Sequence, residues 1–389
     1  MRETLQPLED GGQETLILES VDRFLERDVR PVVHALEAAD TYPAAIVEKL
    51  RALGLFGATI AAEHGGIGLS ASTYAKIVER VSAVWMSIAG LFNSHLIMAA
   101  AVQRFGTAEQ KTRFLPRFAS GDLRGGIALT EPDCGTDLQA IRTHARREGD
   151  HYVVNGTKTW ITNSVEGQIL AVLVKTDPRA DPPHRGMSLL LMEKGPGFKV
   201  TRRLEKLGYR GIDTGEIVFE ECRVPAENLI GAAEGSGLQQ VLNGLALGRI
   251  NVAARGAGVA RACLEESLRY AQLRKTFGKP IAEHQAIQLK LADMATRVEA
   301  ARLLIESAAR AYDEGARCDL EAGMAKLYAT EAALENSLEA MRIHGAYGYS
   351  KEFNIERYYR DAPLLAIGEG TNELQRIIIA RELVKRHPA

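Results

Sequence analysis

Cysteine is scarce: Cys134, Cys222, Cys263 and Cys318 are the only four, dozens of residues apart and with no C-x-x-C pair. That spacing argues against a structural zinc site or a redox pair, a chain of this length needs no disulfide staples, and thiols of a reducing compartment fit best. Charge of one sign is also missing, since 48 Lys and Arg stand against 50 Asp and Glu for a formal net charge of -2. A chain this balanced offers a polyanion no strong attraction, so no nucleic-acid partner is expected. The N-terminus MRETLQPLEDGGQE contains neither an apolar leader core nor an Arg-rich stretch, and a cytoplasmic location is the expectation. One long uncharged run exists, residues 81–103, long enough to span a bilayer. Asn93, Ser94 and His95 fall together near its middle, where hydrocarbon would leave them unpaired. The run is therefore read as a buried helix lining a site, not a membrane span.

What remains is an ordinary globular composition, 46% hydrophobic and 25% charged over 389 residues, enough for a large core and two or three domains. Up to about residue 125 apolar residues recur three and four apart, as at Val21, Phe24, Leu25 and Val29, the helical period. From 126 to 235 short β-branched runs predict strands at 152–154, 169–174, 187–192 and 216–219. Asn155-Gly156 between two alternating segments predicts a two-residue hairpin turn. Beyond 236 the helical period returns, with helices expected near 238–273, 284–315, 319–344 and 373–386. Gly66-Ile67-Gly68-Leu69-Ser70-Ala71 matches a dinucleotide fingerprint in letters but has no preceding strand, so it reads as a tight loop between helices.

Three segments could carry chemistry. In Gly368-Glu369-Gly370 a carboxylate sits on permissive backbone, and Asn372 with Gln375 suggests a helix start just after it. Glu369 is either a general base, its pKa raised once a bound ligand excludes water, or a solvated loop acid. Thr130, Gly135, Thr136, Trp160 and Thr162 offer hydroxyls, close backbone approach and a flat face for a planar ligand; turn chemistry around a packed Trp is the alternative. Arg274-Lys275-Thr276-Phe277-Gly278-Lys279 places three cations in six residues, a phosphate-binding loop or simply a favourable helix C-terminus.

The ordered segments TEPDCGTD, NGTKTWITN, GIDTGEIVFEECRVPAENLIG, RKTFGKPIAEHQA, RIHGAYGYS and GEGTNELQR resemble the acyl-CoA dehydrogenase family over nearly the whole chain. The resemblance implies an α+β fold: an N-terminal helical domain (1–125), a middle antiparallel β domain (126–235) and a C-terminal four-helix bundle (236–389). It implies FAD, with Ile127, Leu129, Thr130, Gly135, Thr136, Trp160 and Thr162 around the flavin ring. Arg274, Thr276, Phe277 and Gln285 would reach the FAD of a neighbouring subunit, Arg342 and Gly345 would lie at its pyrophosphate or adenine, and Thr371 and Glu373 close to it beyond the base. Glu369 is implied as the base that removes the α-proton of an acyl-CoA while the β-hydride goes to flavin N5. Ser82, His95, Thr136, Arg249 and Gly370 are implied substrate contacts, although His95 also reads as a satisfied core histidine. An electron-transfer flavoprotein as acceptor and a homotetramer complete the expectation. An acyl-CoA oxidase and a non-catalytic flavoprotein of the same fold are the alternatives.

Departures from the family pattern sharpen this. Gly248 stands where isovaleryl-type members carry an alternative base, leaving Glu369 as the candidate. Met86 aligns with the pocket Arg of glutaryl-type members, which points away from simple dicarboxylic substrates. Arg342 and Ala346 replace a Gln and a Gly. Gly368 replaces a common Tyr, predicting room for branched or bulky acyl groups.

Overall fold

The computed structural model describes residues 10–388. Helices α1 (Asp10–Phe24), α2 (Val33–Ala38), α3 (Ala44–Ala52), α4 (Ala71–Phe105) and α5 (Ala108–Ala119) come first. Ser70 caps α4, accepting from Thr73 N–H, and Thr107 with Gln110 forms a reciprocal capping box on α5. The uncharged run is the core of α4, kinked at Trp85; the most apolar 18-residue window of this helix is 89% buried within the fold.

Seven strands follow: β1 (Gly125–Ala128), β2 (His144–Glu148), β3 (His151–Thr162), β4 (Ile169–Lys175), β5 (Met187–Glu193), β6 (Phe198–Arg203) and β7 (Thr214–Pro225). They form one sheet in the order β1-β4-β2-β3-β7-β6, with β5 on β4. The sheet is mixed where an antiparallel one was expected: β1 runs parallel to β4, and β2 touches β4 in parallel. The β2–β3 hairpin lies between β1 and β4 in the chain and supplies the long crossover a parallel pair needs.

The hairpin predicted at Asn155-Gly156 is not there; β3 runs straight through both residues. Gly156 has φ 147° at a register shift against β7, and a side chain there would strike Thr143. Asn155 instead exchanges two hydrogen bonds with Glu221 on the neighbouring strand. The actual turn is Gly149-Asp150, closing the Glu148–His151 pair with Gly149 at φ 63°.

The C-terminal part holds α6 (Gly237–Leu273), a small hairpin of β8 (Lys275–Thr276) and β9 (Lys279–Pro280), α7 (Gln285–Asp313), α8 (Asp319–His344), α9 (Ile355–Ile367) and α10 (Asn372–Arg386). Helix α9 was not foreseen. It buries Ile355, Tyr358, Ala362 and Leu365, a short amphipathic face interrupted in sequence by Arg, Asp and Pro. Its Asp361 accepts from Tyr209 N–H at 2.7 Å and so fixes the β6–β7 loop against the bundle.

Candidate active site

The loop between α9 and α10 carries Glu369 with φ 54° and Gly370 with φ 90°, left-handed backbone that turns the carboxylate inward. Lys326 of α8 holds this loop from beneath: its Nζ donates to Ala366 O (3.2 Å), Gly370 O (2.9 Å) and Asn372 Oδ1 (2.8 Å). Burial pulls the Lys326 pKa down to about 8, while Glu369, Glu373 and Glu331 work to keep the ammonium charged. Thr371, not Asn372, caps α10 by accepting from Leu374 N–H. Asn372 is buried in the first turn, bonded to Lys326, Thr330 and Glu331.

Glu369 Oε1 accepts from Asn93 Nδ2 of α4 at 2.6 Å. The residue as a whole is partly exposed, yet its Oε2 is sealed from solvent and has no hydrogen-bond partner. That oxygen lies against Gly248 of α6, where an added Cβ would come within 2.3 Å of it. Burial raises the Glu369 pKa; the Arg255 charge, the Asn93 hydrogen bond and the charges of Lys326 and Arg249 oppose the rise without cancelling it. A buried carboxylate with one oxygen oriented and one free is a stronger proton acceptor than a solvated one.

The β sheet brings a rim to this carboxylate. Ile127 N–H of β1 donates to Ser94 Oγ, one residue beyond Asn93, and Asn163 Nδ2 donates to Leu91 O and Gly125 O, clamping the end of β3 to α4 and β1. Thr159 N–H donates to Thr130 O, and buried Lys158 reaches Leu129 O and Glu131. Burial works against ionised Glu131, but Lys158 and the N–H groups of Arg142 and Thr143 hold its pKa below the ordinary carboxylate range. Ile127, Leu129, Thr130, Trp160 and Thr162 thus line one edge, with Gly135 beside Thr130 and Thr136 exposed on the same loop. Trp160 is not packed: it has φ 62° where the β3–β7 register shifts, and it is 59% exposed.

Other expected residues lie elsewhere. His95 is two positions from Asn93, hence on the other side of α4, wedged between Phe56 and Phe118. Its Nε2 meets Phe118 O at 3.1 Å, and its Nδ1 accepts from Gly125 N–H at 3.2 Å, so it is a core histidine and not a pocket wall. Burial lowers its pKa to about 4. Between pH 4 and 6.5 the unfolded chain binds the proton that the folded one refuses, so stability rises with pH there and the contribution is complete above 6.5. Chemical denaturation of His95→Gln across that window is expected to show a pH slope smaller by about one proton than the parent; an unchanged slope would contradict the buried placement.

Ser82 also lies away from the Glu369 carboxylate. It packs on α6 at Gly258, ten residues beyond Gly248 and so about 15 Å along that helix. Arg249 is buried next to Gly248, but its Nη1 is held by Asp319 Oδ1 at 3.0 Å. Arg274 and Thr276, with Phe277 97% exposed at the tip of the β8–β9 hairpin and Gln285 just beyond it, lie at the far end of α6. They begin 26 residues from Gly248, about 39 Å along the helix. Arg342 pairs with Glu339 near the end of α8, with exposed Gly345 following. Glu373 is exposed in the first turn of α10.

Four residues that the sequence did not single out complete the site: Asn93 in the role of carboxylate partner, Lys326, Tyr209 and Arg255. Tyr209 reaches across to α4, its hydroxyl against Gly90, and the Arg255 guanidinium lies over its ring.

Three family models cover the chain in succession: acyl-CoA dehydrogenase N-terminal domain over residues 12–122, middle domain over 126–222 and C-terminal domain over 235–384. An acyl-CoA dehydrogenase of Bacillus subtilis is 38% identical across 96% of this chain and 98% of that protein. The (2S)-methylsuccinyl-CoA dehydrogenase of Cereibacter sphaeroides is 39% identical across 95% of this chain and 69% of its own length. Among solved structures, butyryl-CoA dehydrogenase from Megasphaera elsdenii superposes with a TM-score of 0.93, covering 98% of this chain and 100% of that one at 34% identity. PigA with FAD and proline superposes at 0.91, covering 99% and 100% at 28% identity. The chain belongs to the acyl-CoA dehydrogenase family and is an oxidoreductase with FAD as its cofactor.

Proposed function

We propose that the protein oxidises a short or branched acyl-CoA to its trans-2-enoyl-CoA, with Glu369 as the base for the α-proton. The observation that carries this is the free, solvent-sealed Oε2 of a carboxylate whose other oxygen is held by Asn93. Asn93 and Lys326 fix the carboxylate and its loop, so the acceptor oxygen is positioned before substrate arrives. The Glu369 N–H donates to no group among the described residues, and it is available to polarise a thioester carbonyl and acidify the α-proton.

The rim fits FAD: Trp160 presents an open flat face, and Thr130, Thr136 and Thr162 supply hydroxyls beside it. Bound there, FAD supplies the acceptor for the hydride that leaves the β-carbon. Arg274, Thr276, Phe277 and Gln285 stand too far along α6 to serve the same chain's site. An exposed aromatic at a hairpin tip suits insertion into a neighbouring subunit, which supports a homotetramer with shared cofactor sites. Four free, buried cysteines fit a cytoplasmic enzyme, and an electron-transfer flavoprotein is its proposed acceptor.

Gly368 has φ -69° and ψ 153°, backbone that any residue adopts, and its Cβ position meets only Leu364. Gly368→Tyr is therefore expected to fold normally and to lower kcat/KM for isobutyryl- and 2-methylbutyryl-CoA at least about tenfold relative to butyryl-CoA. Equal losses on straight and branched thioesters would contradict the open space beside Glu369. The function as a whole is tested by assaying the purified holoenzyme with an acyl-CoA panel and identifying the product by mass. Enoyl-CoA formed with an electron-transfer flavoprotein and only slowly in air supports the reading. Rapid turnover with oxygen alone would make the protein an oxidase.

A further inference from the structure

Arg255 is 4% exposed, and its Nε and Nη2 have no hydrogen-bond acceptor. Among the described residues it forms no ion pair; its guanidinium carbon lies 5.0 Å from the centre of the Tyr209 ring. An unpaired buried guanidinium is among the least favourable things a core can contain, so its place calls for a partner.

Its location says which. Arg255 follows Gly248 by seven residues on α6, two turns, and therefore shares the helix face against which the Glu369 carboxylate rests. Side chains on a helix lean toward its N-terminus, which tips the guanidinium back toward Gly248. Tyr209, which flanks it, touches α4 at Gly90, one turn before Asn93. The orphan donors thus lie in the space beneath the base, between α4, α6 and the β6–β7 loop. Glu369 makes no ion pair with it and compensates the cation only through the field between them; once Glu369 has accepted the α-proton, even that compensation is gone. A carboxylate brought by the substrate would satisfy both nitrogens in the fork geometry an arginine presents.

We infer that Arg255 binds the free carboxylate of a dicarboxylic acyl group, making the preferred substrates CoA monothioesters of short dicarboxylic acids. The inference rests on the acyl-CoA dehydrogenase reading of the same site. Residues 248 and 255 are two helical turns apart, about 10 Å along α6, so a carboxylate at Arg255 and an α-carbon at Glu369 belong to one short acyl group. Together with Gly368 this admits a branch near the α-carbon, as in the methylsuccinyl thioester named for the Cereibacter relative. Met86 on α4 pointed away from such substrates; here the cation comes from α6 instead.

The test compares kcat/KM of the holoenzyme for methylsuccinyl- and glutaryl-CoA with that for 2-methylbutyryl- and valeryl-CoA, in the parent, Arg255→Gln and Arg255→Lys. The dicarboxylic-to-neutral ratio is expected to fall about 100-fold in Arg255→Gln and less in Arg255→Lys, which keeps the charge. Calorimetric titration in the Glu369→Gln background, where substrate binds without turning over, is expected to show the same loss in affinity for the dicarboxylic thioesters alone. Turnover of neutral acyl-CoAs with no dicarboxylic preference in the parent, or a ratio unchanged by either substitution, would overturn the inference while leaving the reaction intact. Absence of any product from either series would overturn both.

Discussion

Glu369→Gln is expected to lower kcat/KM by about 10³- to 10⁴-fold on the best substrate, while FAD binding and fold persist. Glutamine keeps the size of the side chain and can still meet Asn93, so what is lost is the proton acceptor at the free Oε2. A second signature accompanies the loss. The base must be ionised to act, and burial raises its pKa, so parental kcat/KM should fall as pH drops through a value above the usual carboxylate range. Residual activity of the variant should lack that acid limb. Wild-type rates in Glu369→Gln, or an unchanged acid limb, would assign the base elsewhere.

Gly248→Ala is expected to separate activity from stability. The new methyl would stand 2.3 Å from Glu369 Oε2 and 3.0 Å from Ile97 Cδ1, so the carboxylate must move. Displacing a reacting group by about 1 Å costs on the order of 100-fold in rate. Position 248 lies within α6, where alanine is favoured over glycine by about 1 kcal/mol, so the melting temperature should be little changed. Measuring kcat/KM and Tm on the same preparation decides it. A variant with parental activity would show that the carboxylate does not rest on α6; one that loses both activity and fold would show that crowding, not displacement, dominates. The same geometry explains the departure noted at this position: a side chain projecting from residue 248 arrives where Glu369 already is.

Much of this was legible in the chain. Glu369 stood out because a carboxylate between glycines implies special backbone, and the dihedrals of Glu369 and Gly370 show it. Successive helices, strands and helices followed from periodicity. Asn93, Ser94 and His95 were visible as polar residues too costly for a membrane, but their separate duties were not, because residues two apart on a helix face different neighbours. One holds the base, one binds β1 and one packs between phenylalanines. Ser82 fell in the same run yet eleven residues from Asn93, about 16 Å of helix, and beyond the kink at Trp85. Asn155-Gly156 misled because glycine serves close approach as well as turns, and here Thr143 crosses it. Lys326, Tyr209 and Arg255 come from elements distant in sequence, and nothing local marks them as neighbours of one carboxylate.

The measurement that tests the central claim most directly is anaerobic titration of the purified flavoprotein with a panel of acyl-CoAs, following the oxidised flavin band, with Glu369→Gln alongside. Some thioesters are expected to bleach the band in the parent and none to do so at a comparable rate in the variant, whose flavin spectrum is otherwise intact. A normal flavin spectrum in the parent that no acyl-CoA changes, or bleaching of the variant as fast as the parent, would contradict that claim.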